Sequence, residues 1–190
     1  MTDIGEAMSQ PDHRLAPLKQ WTITALHNAF APETPILADY LLPTWDSVSG
    51  DASFRRYFRT HFKGCSYIVM DAPPQKESIE PFVDIAQRLL NAGLRAPVIV
   101  AQELEQGFLL LEDLGDEMLK SLLHEASGQP LFDAVLPVLA IMASSCDASD
   151  LPSYSPAKLQ EELALFPDWY LQRHLSVTMT NDEAKCWQQL

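Results

Sequence analysis

The chain has 190 residues, 47% of them hydrophobic and 21% charged, an ordinary globular composition with enough apolar material for a packed core. Its formal charge of −13 argues against a nucleic-acid partner, whose affinity rests on Lys and Arg facing phosphates, but leaves room for a phosphorylated small molecule held by a local positive patch. The opening MTDIGEAMSQPDHR lacks the basic and apolar regions of a secretory leader, and no apolar run approaches the roughly 20 residues of a membrane span, so a cytoplasmic protein with no membrane contact is expected.

In chain order, Pro11 to Phe30 reads as an amphipathic helix, with Leu15, Leu18, Trp21, Ala25 and Leu26 near helical spacing. Pro32, Pro35 and Pro43 then interrupt the chain. From Ser53 the side chains alternate: Phe54, Arg56 and Phe58 share one face, and Arg55, Tyr57 and Arg59 share the other, which predicts a strand. His61 to Ser66, containing Gly64, reads as a turn, and Tyr67 to Met70 as the next strand. Asp71-Ala72-Pro73-Pro74 ends it, because proline cannot donate to a ladder. SIEPFVDIAQRLLNAGL, residues 78–94, predicts a helix capped by Ser78, with Pro81 in its first turn. Phe82, Ile85, Ala86 and Leu89 form its apolar face, and Gly93 sits at the left-handed position after its end. Two further strands follow, Val98 to Gln102 and Phe108 to Leu111, joined at Glu105-Gln106-Gly107.

From Glu117 onward helical signals take over. The strongly apolar Pro130 to Ser145 predicts a helix buried on several sides. Pro152 to Pro156 is a linker. Lys158 to Leu175 is a helix bearing Leu159, Leu163, Phe166 and Leu171, which Pro167 should kink or divide. Another helix starts at Asn181-Asp182-Glu183. The fold class is therefore α+β. An antiparallel sheet lobe with one packed helix and a leading helix spans residues 1–114, and a hinge with an incomplete helical lobe spans residues 115–190.

Several stretches carry chemistry. The turn Gly50-Asp51-Ala52-Ser53 between two strands can lay backbone N–H groups over phosphates, or it is an ordinary hairpin bend; one glycine is far from a P-loop. Arg55, Arg56 and Arg59 follow it, and guanidinium groups pair bidentately with phosphate. A solvated strand face accounts equally well for Arg55 and Arg59, less well for Arg56 between two phenylalanines. FLLLEDLGD, residues 108–116, suits either an inter-lobe hinge or a buried strand with a glycine turn. In a hinge, the backbone of Glu112 and Leu114 can bond a flat heterocycle such as adenine. Asp113 and Asp116 also read as solvated turn carboxylates. His13, His27, His61, His124 and His174 show no metal-ligand spacing, and no nucleophile motif is present. Cys65, Cys146 and Cys186 lie far apart without CxxC spacing, which points to buried or free thiols.

Taken in order, GDASFRRYFR, YIVMDAPP, a helix ending in GLRAP, GFLLLEDLGD and LQEELALFPDWYL resemble the start of the aminoglycoside phosphotransferase family, whose fold is protein-kinase-like. Within it the chain is most similar to bacterial kinases that phosphorylate N-acetylmuramate and N-acetylglucosamine at the anomeric hydroxyl in cell-wall recycling. The resemblance runs from about residue 20 to residue 175. It implies that Gly50, Asp51, Ala52 and Ser53 form the nucleotide-binding loop, with Arg55 or Arg56 facing phosphate or supporting the loop. Glu112, Asp113 and Leu114 then lie in the hinge at adenine. LQEELALFPDWYL belongs to the lobe that holds the sugar, with Asp168 and Trp169 as the candidate substrate contacts.

The chain departs from that family in two respects. Kinase-like folds place a cation on the third strand to grip phosphates, and the matching position here is the uncharged Met70, so Arg55, Arg56 or Lys76 takes over or the grip is weaker. The family's catalytic loop and metal-binding Asp lie beyond SVTMTNDEAKCWQQL. No catalytic residue and no Mg²⁺ ligand is therefore expected in these residues, and they are expected to be inactive alone. The resemblance implies the N-terminal part of an ATP- and Mg²⁺-dependent amino-sugar kinase. The alternatives are a kinase for another alcohol (an aminoglycoside, choline or homoserine) and a non-catalytic kinase-like binding module.

Overall fold

The computed structural model describes residues 12–33, 44–48, 53–122 and 128–187. The chain divides into two compact units, residues 1–147 and 148–190. In the first, α1 (Leu15–Phe30) precedes β1 (Asp46–Val48), β2 (Arg56–Phe62) and β3 (Cys65–Asp71). Then come α2 (Glu80–Asn91), β4 (Ile99–Glu103), β5 (Phe108–Glu112), α3 (Leu119–Leu122) and α4 (Gly128–Ser145). The strands form one antiparallel sheet in the order β1-β2-β3-β5-β4. The fold is α+β, with the sheet arrangement of a kinase-like N-terminal lobe.

Register follows from the turns. Lys63 and Gly64 both take positive φ, so a two-residue turn closes the β2–β3 hairpin with Phe62 opposite Cys65. The turn expected over residues 61–66 is thus shorter, and both strands extend into it. The β4–β5 turn ends at Gly107, whose φ is +73° and where an added Cβ would lie 1.9 Å from the Ala72 carbonyl oxygen. Only glycine admits that approach, and it lets Ala72 N–H reach the Gly107 carbonyl at 2.9 Å.

Strand alternation sorts the core into two layers. Phe58, Val69, Phe108 and Leu110 pack with Leu18, Ala25 and Leu26 of α1 on one face. Met70, Leu109 and Leu111 pack with Ile79, Phe82 and Val83 at α2 on the other. β5 lies between β3 and β4 with helices on both sides, which is why it reads FLLL without alternation. Each fully buried Leu, Val or Phe contributes about 1.5–3 kcal/mol. The end of α2 is closed by Gly93 N–H to Leu90 O at 3.0 Å and Leu94 N–H to Leu89 O at 2.9 Å, the paired bonds of a left-handed C-terminal cap. At its start Ser78 Oγ accepts from Glu80 N–H at 3.1 Å.

One side-chain network fastens α1 to the sheet. The fully buried Asp71 carboxylate accepts from Arg14 Nε at 2.9 Å and Nη2 at 2.6 Å on one oxygen, and from Arg56 Nε at 3.0 Å on the other. Arg56 also pairs with Asp12, which holds that carboxyl below its ordinary value.

The second unit holds α5 (Pro156–Leu165), a π-helical turn run (Phe166–His174) and α6 (Asn181–Trp187). Ser155 caps α5 by accepting from Lys158 N–H at 3.2 Å. The helix is divided near Pro167 as expected, α5 ending at Leu165 and a π-helical run beginning at Phe166. Proline removes one donor from the ladder, and the helix continues in the wider i→i−5 form, as in Leu175 N–H to Tyr170 O at 3.0 Å. Thr180 and Glu183 cap α6 reciprocally, Thr180 N–H donating to Glu183 Oε2 at 2.8 Å and Glu183 N–H to Thr180 Oγ1 at 3.3 Å.

Two expectations change. The helix predicted to be buried on several sides, α4, has no buried residue, and Phe132, Leu136 and Leu139 are exposed. Its apolar surface calls for cover that the described residues do not supply. At 18 residues with mean hydropathy 1.2, α4 is also long and apolar enough to cross a membrane by length and composition alone, contrary to the expectation that no run approaches that size.

Candidate functional site

A cavity of about 250 Å³ opens on the α2 face of the sheet, where the chain leaves β5. That volume lies just below the roughly 300–1,000 Å³ of small-molecule sites, room for a single flat ring system rather than a whole nucleotide. Val48, Tyr57, Ile68 and Leu111 supply its apolar wall, and the segment from Glu112 to Asp116 forms its rim. Alternation puts these residues there: the β2 and β3 side chains one position away point into the α1 layer instead.

The rim is held from below. Arg59 of β2 donates from Nε to Asp113 Oδ2 at 2.6 Å and from Nη2 to Asp113 Oδ1 at 3.1 Å. The same guanidinium reaches both oxygens of Asp116 at 2.8 Å. Asp113 Oδ1 also accepts from Gly115 N–H at 2.9 Å, which folds the rim over its own side chain. Gly115 has φ +84°, a conformation that L side chains rarely adopt. Hydrogen bonding from Arg59 lowers the Asp113 pKa to about 2, so the carboxylate stays charged although its side chain is only 5% exposed. Glu112 is tied to the other side: its N–H donates to Val98 O at 2.8 Å, and its carboxylate accepts from Arg95 at 2.9 Å. Leu114 between them is exposed and makes no hydrogen bond among the described residues. An unpaired peptide at the mouth of an apolar slot can bond the polar edge of a heterocycle.

The other residues singled out from the sequence fall into distinct places. Gly50, Asp51 and Ala52 lie outside the described residues, whereas Ser53 accepts from Arg55 N–H at 3.1 Å in a tight local turn. Arg55 faces the α2 side, pairs with Glu77 just before α2 and lies 5.6 Å from the Phe82 ring centre. Its Nε is buried and has no partner among the described residues. Met70 is fully buried beneath α2 with Ile79, Leu109 and Leu111. Arg56 belongs to the opposite face, engaged by Asp71 and Asp12, and is not part of this site. Lys76 lies 5.4 Å from the Phe54 ring centre. Asp168 and Trp169 belong to the second unit, where the Arg173 guanidinium stacks on Trp169 at 4.0 Å.

From the sequence Arg59 is singled out only as a third arginine or a solvated strand residue, and Glu77 is given no role. Arg59 shares the face of Arg55 in the alternation, and two carboxylates, Asp113 and Asp116, wait in EDLGD; the signal was a third arginine with an acidic pair, separated by 54 and 57 residues. Among the described residues no three carboxylate, histidine or cysteine side chains converge as a metal site.

Comparison with known proteins agrees with this architecture. The chain is 41% identical over 181 residues to an N-acetylmuramate/N-acetylglucosamine kinase of Pseudomonas aeruginosa, an alignment covering 94% of this chain and 52% of that protein. A kinase of the same name from Pseudomonas putida is 39% identical, with 96% and 53% covered. The one from Neisseria meningitidis is 31% identical over 74% of this chain and 43% of its own length. The chain thus spans about half the length of the curated relatives it matches. The model of the phosphotransferase enzyme family matches residues 44–190, from the first strand through the last helix, and the chain belongs to that family.

Proposed function

We propose that these residues form the nucleotide-binding half of an ATP-dependent kinase that phosphorylates N-acetylmuramate or N-acetylglucosamine at the anomeric hydroxyl. The observation that carries the reading is the apolar slot with an unpaired Leu114 peptide at its rim, set on the α2 face of a β1-β2-β3-β5-β4 sheet. The names of the relatives support the acceptor.

In this reading the adenine ring lies between Val48, Ile68 and Leu111, with its polar edge at Leu114, and residues 1–114 act as the nucleotide lobe. Gly50, Asp51, Ala52 and Ser53 cover the phosphates. Arg55 takes the place of the cation absent at Met70: it sits on the same face, and Glu77 holds it as a helix glutamate holds the strand lysine of a kinase. Its unpartnered Nε is a donor already oriented by that pair. Asp168 and Trp169 belong to the sugar-holding lobe, residues 115–190 forming its first part. Mg²⁺ would neutralise charge on the transferred phosphoryl group, but the described residues offer no ligand set that fits it, and no residue here is given that role. The protein works in the cytoplasm on ATP and a small amino sugar, without nucleic acid or membrane.

The test is a coupled assay of the full-length protein with ATP, Mg²⁺ and a panel of N-acetylmuramate, N-acetylglucosamine, an aminoglycoside, choline and homoserine. Sugar 1-phosphate should form, and residues 1–190 alone should form none above the no-enzyme rate. Turnover confined to another alcohol would replace the acceptor. Absence of nucleotide binding in the full-length protein would leave a non-catalytic module.

A further inference from the structure

Resting on that reading, we infer that Arg59 is a positioning residue for the nucleotide, acting through Asp113 and Asp116 rather than by touching phosphate. Four of its five donors are engaged: contacts of 2.6, 2.8, 2.8 and 3.1 Å join it to the four oxygens of the two carboxylates. No donor pair is left in a geometry that a phosphate would need. It therefore differs from Arg55, whose Nε has no partner among the described residues.

The consequence lies at the rim. Leu114 and Gly115 are not in a strand or helix, so no ladder sets their conformation. Asp113 Oδ1 sets it, by accepting from Gly115 N–H at 2.9 Å, and Arg59 fixes Asp113 by gripping both carboxylate oxygens. Without the guanidinium two like charges face each other across a single turn, and the nearly buried Asp113 loses its counter-ion. The Leu114 peptide then loses its fixed direction. Affinity for the base falls, while groups that handle the acceptor and the transferred phosphoryl are untouched.

Asp116 is 74% exposed and Asp113 5% exposed, so the two carboxylates should not weigh equally. Asp113 holds the turn through Gly115 N–H, and Asp116 adds a second, exposed partner for the guanidinium. Arginine is needed because lysine offers one point charge and cannot fork between two carboxylates.

The experiment is initial-rate kinetics on the full-length protein and its Arg59→Met, Arg59→Lys and Asp116→Asn variants. ATP and sugar are varied in turn, and the melting midpoint of each variant is recorded. Arg59→Met should raise KM for ATP by about tenfold or more, with kcat and the sugar KM within about threefold, the signature of lost ground-state binding. Arg59→Lys should recover part of it, to a rise of about threefold, and Asp116→Asn should raise KM for ATP measurably but by less than Arg59→Met does, because its carboxylate is the exposed one of the two. If Arg59→Met does not fold, Arg59→Lys carries the test with the same split. An unchanged KM for ATP in the folded variants, or a kcat loss with KM unmoved, overturns the role. A parent protein that binds no ATP overturns the kinase reading itself, and is seen before any variant is made.

Discussion

Within one chain the strand-rich region and the helices after it meet opposite fates. Among the described residues every buried apolar side chain lies between Leu18 and Leu111, whereas α4, α5, the π-helical run and α6 contain none. Composition does not explain this, since α4 is among the most apolar segments. The sheet lies between α1 on one face and α2 on the other, so its apolar surface closes within about a hundred residues of chain. The later helices leave Leu136, Leu139, Leu159 and Leu163 exposed among the described residues. A hydrophobic sequence specifies that a surface must be buried; a partner element decides whether it is.

The largest expected effect breaks the closed region at its charged fastener. Asp71→Ala leaves Arg14 and Arg56 facing each other without the carboxylate they share, and should cost about 3–5 kcal/mol in urea unfolding. A loss below about 1 kcal/mol would mean the network adds little to packing. Next, a matched pair sharpens the comparison. Leu26→Ala removes a side chain that is 1% exposed and should cost about 2–5 kcal/mol. Leu136→Ala, 58% exposed, should shift the same unfolding curve of residues 1–190 by less than about 0.5 kcal/mol. Equal losses would show that α4 is covered in solution.

The smallest effect is a pH dependence. The Asp113 pKa is lowered from 3.8 to about 2 in the folded chain, chiefly by its bonds to Arg59. The unfolded chain therefore takes up a proton first on acidification. The contribution is fully present above pH 3.8 and is lost as pH falls toward 2. Arg59→Met should flatten that part of the stability profile, read as melting midpoint against pH; an unchanged slope would remove Arg59 as the cause.

Much of this was legible in the residues because it is local. Period-2 alternation in FRRYFR, the helix stop at Gly93 and the turn at Gly107 are set by backbone sterics within a few positions. The β2–β3 turn is shorter than the residues suggest, because a type I′ turn needs only Lys63 and Gly64 and lysine seldom takes a positive φ. Pro167 was legible as a disturbance, but not as the start of a wider helix, since that outcome depends on how the whole run shares its remaining bonds.

By itself the sequence determined the order of elements, the two faces of each strand, and, through the succession of short motifs, membership of a phosphotransferase family. Only the tertiary structure decided which face was which. Arg56 and Arg59 both follow the same turn and alternate regularly with aromatic residues, yet one is bound to Asp71 in the α1 layer and the other to Asp113 and Asp116 at the rim of the slot. Alternation separates neighbouring side chains to opposite sides of a sheet, but the side that becomes a pocket depends on where α2 packs and where the chain turns after β5. The contacts of Arg59 that build the rim span 54 and 57 positions, and no local rule reaches that far.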